Sequence, residues 1–208
     1  MKSRKALLIV DVQNDFCPKG ALAVPRGDKV VPPINKYIKI FSQNKLPIFV
    51  TRDWHPKETK HFKDFGGLWP KHCIKKTKGA RFHPDLKLPK GIIILSKGMN
   101  PDQDGYSVFQ AQDNQGRGIL HWLKRLKIDE LFIAGLATDY CVKFSALEAL
   151  KLGLKVKILT DAIQGVNIKA SDSQEAIKEM LAAGAQKMSL KQLPKRLSNE
   201  WPVGSRTN

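Results

Sequence analysis

The chain has 208 residues, 42% of them hydrophobic, with 36 Lys+Arg against 19 Asp+Glu and a formal net charge of +17. That apolar share fills a core and excludes wholesale disorder, and the length suits one domain spanning residues 1–208. Three scattered cysteines, Cys17, Cys73 and Cys141, exclude a disulfide framework and suit a reducing compartment.

The run KALLIV (5–10) reads as a buried strand; it is too short for a signal peptide and stops at Asp11. No stretch reaches the roughly 20 apolar residues of a membrane span, so a soluble, cytoplasmic protein with no membrane partner is expected. Ile34, Ile38 and Phe41 predict a helix over 33–44. LPIFVT (46–51) and GIIILS (91–96) read as the second and third strands. Residues 117–127 predict a basic amphipathic helix with Ile119, Leu120, Leu123 and Leu126 on one face. ELFIAG (130–135) is the fourth strand, followed by a helix over 139–152 stopped at Gly153. LKVKILT (154–160) is the fifth strand, 171–184 a helix stopped at Gly184, and 185–190 a sixth strand. From about Lys195 the chain reads as a polar tail that frays.

This alternation predicts an α/β fold of three layers, a central, mostly parallel six-stranded sheet between helices, with right-handed crossovers. Residues 52–90 break the rhythm, and the insert holds His55, His61, His72 and His83. A long irregular insert in a compact domain is usually functional or disordered, and its Trp and His content argues against disorder.

Ligands of open parallel sheets bind beyond the carboxyl ends of the strands. Strand one ends at Asp11, strand two leads into Asp53 and His55, strand three ends at Lys97, and strand four leads to Cys141. Each has a bland reading: a capping Asp, loop histidines, a solvated Lys, a small buried hydrophobe. As a set they offer an acid/base, a metal-binding group, a cation and a nucleophile. Asp139 is a candidate N-cap for the helix carrying Cys141, and the positive helix end would lower the thiol pKa. Asp53 and His55, two apart on an extended chain, share one face. With His61 and His72 downstream they make a site for Zn²⁺, Fe²⁺ or Mn²⁺. His83 and His121 read as structural or exposed.

Five segments, LLIVDVQNDFCPKGALAV (7–24), TRDWHP (51–56), WPKHC (69–73) with GARFHPDL (79–86), SKGMNPDQDGYSVF (96–109) and GLATDYCVKFSALEAL (135–150), together resemble the nicotinamidase branch of the isochorismatase-like cysteine hydrolases. TDAIQG (160–165) adds to the match, which spans about residues 5 to 190 in family order. The resemblance implies an isochorismatase-like, Rossmann-like fold and an amidohydrolase that converts nicotinamide to nicotinate and ammonia through a cysteine thioester, in NAD salvage, with pyrazinamide as a second substrate. It implies Asp11 as general acid/base, Lys97 as the triad lysine and Cys141 as nucleophile. It implies one divalent metal, zinc foremost, held by Asp53, His55 and His72. His61 falls where some members place a further ligand and others a hydroxyl residue. A cis Leu136–Ala137 bond is implied, with the Ala137 and Cys141 amides as oxyanion hole. Phe16, Leu22, Trp69 and Tyr106 match positions that wall the substrate pocket. The family often forms homo-oligomers.

Rival readings are few. A ureidoacrylate or N-carbamoyl amide hydrolase would share Asp11, Lys97 and Cys141 without the metal set, and an isochorismatase proper would not need Cys141. The charge of +17 suggests nucleic acid, but lysines are spread over nearly every segment and no recognition module is present, so no nucleic-acid partner is expected. The intact Asp, Lys and Cys set argues against a dead scaffold.

Overall fold

A computed structural model describes residues 4–194 and 197. Six strands, β1 (Lys5–Val10), β2 (Ile48–Asp53), β3 (Ile93–Lys97), β4 (Glu130–Leu136), β5 (Lys155–Gln164) and β6 (Gln186–Met188), form one sheet in the order β3-β2-β1-β4-β5-β6. Every pairing is parallel. The apolar runs of β1 and β4 are buried nearly throughout because they lie mid-sheet, covered on both faces.

Among the described residues four α-helices cover the sheet. Helix α1 (Val31–Gln43) opens on prolines, which the first helical turn accepts, and buries Ile34, Tyr37, Ile38 and Phe41 at helical spacing. It packs in one core cluster with Leu7, Ile9, Val50 and Phe132. Helices α2 (Ile119–Leu126), α3 (Lys143–Lys151) and α4 (Asp172–Ala182) contribute to the cluster on the other face, with Leu8, Phe49, Leu131 and Ile133. This is the expected three-layer, Rossmann-like arrangement. Among the described residues no helix is long and apolar enough to cross a membrane.

The departures are local. Strand β2 begins and ends two residues later than the sequence predicts, so Asp53 is its last residue rather than part of the following loop. Strand β5 runs on through Gln164, past a register shift against β4 between Ile133 and Gly135. Leu120 does not share the apolar face of α2; Ile119 and Leu123 are buried and Leu120 is 41% exposed. Helices α3 and α4 stop where Gly153 and Gly184 take positive φ, as predicted. Most of the predicted polar tail lies outside the described residues; Leu197 packs in the α1-side core.

Candidate active site

The strand order reverses between β1 and β4, the crevice where such sheets bind ligands. Asp11 leaves β1 with a left-handed backbone, φ 48°, a conformation that a non-glycine residue keeps only where its surroundings enforce it. Thr51 does so. Its hydroxyl donates to Asp11 Oδ1 at 2.7 Å and accepts from the Asp11 amide at 3.3 Å. Lys97 ends β3 in register with Asp53 at the end of β2. Its Nζ lies 2.7 Å from Asp11 Oδ2 and 3.2 Å from Cys141 Sγ, and it also pairs with Asp53 Oδ1. A lysine at a strand end is usually solvated; this one is 1% exposed. Two carboxylates stabilise the buried ammonium.

Electrostatics divide the labour between the carboxylates. Burial raises the Asp11 pKa to about 6, against the pull of Lys97 and with a further push from Asp53. Burial also raises Asp53, but Lys97, His55 and His72 outweigh it and hold that carboxyl below the usual range. Burial lowers Lys97, yet Asp11 and Asp53 more than reverse this, so it stays charged. The raised Asp11 carboxyl suits a group that exchanges a proton near neutrality, and the lowered Asp53 carboxyl suits a lasting anion.

Cys141 lies at the start of the helix after β4, as expected, in a π-type turn, Thr138–Val142, that runs directly into α3; the residue before that turn is Ala137, and Asp139 is not its cap. Asp139 is turned away: its carboxylate accepts from the amides of Val166 at 2.9 Å and Asn167 at 2.7 Å, fixing the loop after β5. The expected low thiol pKa is overturned by burial rather than by position. Burial raises the Cys141 thiol; Lys97 lowers it, while Asp11 and Asp53 add to the rise. The raised value favours the thiol form, which needs a base to become a nucleophile. The Leu136–Ala137 bond is cis, as the resemblance implied.

The irregular insert folds three histidines onto Asp53. Ring nitrogens of His55, His61 and His72 lie within 4.8 Å of one another. Asp53 Oδ2 is 3.6 Å from His55 Nε2 and 3.9 Å from His72 Nε2. The opposite nitrogens are tied back, His55 Nδ1 to the Gly98 carbonyl at 3.0 Å and His72 Nδ1 to the Pro70 carbonyl at 2.8 Å. Each leaves Nε2 for a ligand, and His55 Nε2 is buried with no hydrogen-bond partner. Burial lowers the pKa of His61 to about 3 and of His72 to about 4, so both are neutral, the form that binds metal. These residues fit a divalent cation, and His61, the doubtful member, belongs to the nest.

Gly98 makes this possible. It has φ +64°, and a Cβ there would sit 2.4 Å from His55 Cε1. Gly98→Ala is expected to cost about 10–100-fold in metal affinity, the usual effect of disturbing a ligand's outer support. Metal retained after dialysis measures this; undiminished content would contradict it.

Phe16, Leu22, Trp69 and Tyr106 all border the space above Cys141 and Ala137. The Trp69 indole donates to the Tyr106 hydroxyl at 2.8 Å. Tyr140 and Val166 also line this space, with Leu136 and with Asp53, His61 and His72 from the metal set. Tyr140 and Val166 were missed, as were Thr51 and Gln13. Gln13 brackets Asp53, accepting from its amide at 2.7 Å and donating to its carbonyl at 2.9 Å. Period-two spacing could have found Thr51, two before Asp53 on β2; Gln13 follows the left-handed turn at Asp11, where strand alternation no longer applies. His83 is half-buried and His121 exposed, both outside the site.

A thiol, a carboxylate and an ammonium in contact, beside a nest of imidazoles, are equipped for acyl transfer at a metal-assisted site. The chain belongs to the isochorismatase family, whose domain matches residues 5–192. It is 42% identical over 197 residues to the nicotinamidase of Escherichia coli K12, covering 87% of this chain and 92% of that protein. The pyrazinamidase of Pyrococcus horikoshii, solved in complex with zinc, is 40% identical, with a TM-score of 0.81 over 89% of this chain and 99% of that one. PnC1 from L. infantum, solved in complex with nicotinate, is 30% identical, with a TM-score of 0.82 over 92% and 96%.

Proposed function

We propose that this chain is a nicotinamide amidohydrolase acting through a thioester on Cys141. The observation that carries the reading is Lys97 Nζ in contact with Asp11, Asp53 and Cys141 at once, beside the His55–His61–His72 nest. Nicotinamide and pyrazinamide hydrolysis follows from the relatives, whose names record those activities.

Asp53, His55 and His72, joined by His61, would hold one divalent ion; zinc suits the donor set, and Fe²⁺ or Mn²⁺ would accept it. When bound, the ion supplies a Lewis-acid anchor for the pyridine ring. Asp11 takes the Cys141 proton. The thiolate attacks the amide carbon, and the Ala137 and Cys141 amides hold the oxyanion that forms. Asp11 returns the proton to the departing ammonia, leaving the nicotinoyl thioester. Asp11 then deprotonates a water that attacks the thioester; nicotinate leaves and the thiol is restored. Lys97 stays protonated and balances the charge through both halves. Phe16, Leu22, Trp69 and Tyr106 flank a flat ring, a packing that suits aromatic walls.

The metal set favours this reading over an N-carbamoyl amide hydrolase. The three buried, unpaired cysteines fit a reducing, cytoplasmic setting, and NAD salvage is the process this reaction serves. A homo-oligomer of one-domain chains is the expected assembly. The test is ammonia release from a panel of aromatic and carbamoyl amides, with and without chelator. Nicotinamide and pyrazinamide turn over, and chelation abolishes turnover while the melting temperature moves only a few degrees, because two apolar clusters carry the fold. Exclusive turnover of carbamoyl amides, or a chelator that unfolds the chain, would contradict the reading.

A further inference from the structure

At the outer edge of β3 a groove of about 620 Å³ opens, well within the range that holds small ligands. It is distinct from the site above: Arg52 and Ser96, which line it, alternate along β2 and β3 with Asp53 and Lys97. On this edge Ser96 pairs with Gln112, amide to carbonyl in both directions. Two residues earlier, Ile94 presents its backbone to the same side, and it is 38% exposed.

The groove carries two guanidinium groups in different states. Arg117 is neutralised: its Nε meets Asp113 Oδ2 at 2.7 Å, and its guanidinium stacks 4.3 Å from the centre of the Trp122 ring. Asp113 is fully engaged, accepting also from the Trp122 indole and the amides of Gln115 and Arg117. Arg52 lies 3.8 Å over Trp54 and donates Nε to Ser96 Oγ at 2.9 Å. Among the described residues it has no carboxylate within ion-pair distance. A half-buried guanidinium pinned in place with its terminal nitrogens uncommitted is built for the two oxygens of an anion. The second guanidinium–indole stack offers a flat surface for a ring.

We propose that this groove binds an anionic aromatic ligand of mononucleotide size, its phosphate on Arg52 and its ring against the Arg117–Trp122 stack. The test titrates adenosine monophosphate, with inorganic phosphate in parallel, into the full chain by calorimetry and indole fluorescence. Arg52→Gln, Asn114→Asp and Cys141→Ala are compared, with folding checked by circular dichroism. Asn114 is an exposed residue of the groove, so the added carboxylate opposes an anion without touching the core. The expected result is one saturable site per chain, tighter for the nucleotide than for phosphate. Arg52→Gln and Asn114→Asp should each weaken it by about tenfold or more, the scale of a charge-assisted contact. Cys141→Ala and saturating nicotinamide should leave it unchanged. The proposal is overturned by absence of saturable binding at millimolar nucleotide, equal affinity in all variants, competition by nicotinamide, or phosphate binding as tightly as nucleotide. A change of assembly mass in Arg52→Gln without nucleotide binding would also overturn it, marking the groove as a contact between chains.

Discussion

Cys141→Ala is expected to abolish ammonia release from nicotinamide and leave the fold intact. The thiol is in contact with Lys97 and borders the pocket beside Ala137. Without it, the Asp11 carboxylate and the backbone amides have no covalent path to support. Removing a nucleophile from a set of residues that act as a unit typically costs about 10⁴-fold or more in turnover. The structural cost is small. Cys141 is buried, but losing one sulfur atom from a packed site costs on the order of 1 kcal/mol. Ammonia assay and thermal melt together check this; an active variant, or one that fails to fold, would count against the assignment.

Lys97→Met should be the more destructive change. It leaves Asp11, with 0% exposure, facing Asp53, with 4%, and no cation between them. Breaking a buried charge set by removing one partner costs about 3–5 kcal/mol. For a domain of this size that corresponds to roughly 10 °C or more in melting temperature. Turnover should also vanish, since Asp11 loses the cation that opposes its protonation and that holds Cys141 beside it. Adding Asp11→Asn to Lys97→Met should restore part of the stability and none of the activity, because one stranded carboxylate is gone and the base with it. Thermal melts of the two single variants and the double variant measure this coupling; strict additivity of the stability changes would show that the groups do not interact.

Most of the sheet was legible because its strands are short apolar runs, and three of them deliver a residue with chemistry: Asp11 just after β1, Asp53 at the end of β2 and Lys97 at the end of β3. The histidine nest was legible as donors at workable spacing, although only the folded insert shows that His61 joins His55 and His72. What stayed hidden depends on contacts remote in sequence. Asp139 looks like a helix cap because Cys141 and a helical pattern follow it; its carboxylate instead meets amides 27 and 28 residues away. The burial of Lys97 cannot be read from a lysine at a strand end, since two carboxylates from other strands create it. Arg52 directly precedes Asp53 in sequence, yet alternation along β2 turns it toward a separate groove. The charge of +17, which first suggests nucleic acid, says little about a reaction on a neutral amide.

The thioester is the most direct point of attack. Enzyme mixed with excess nicotinamide, quenched rapidly in acid and digested, is examined by mass spectrometry for the nicotinoyl group. The account predicts one nicotinoyl adduct, on the peptide carrying Cys141, formed during turnover and absent from Cys141→Ala. An adduct on any other residue, or ammonia released by Cys141→Ala at the native rate, would contradict it.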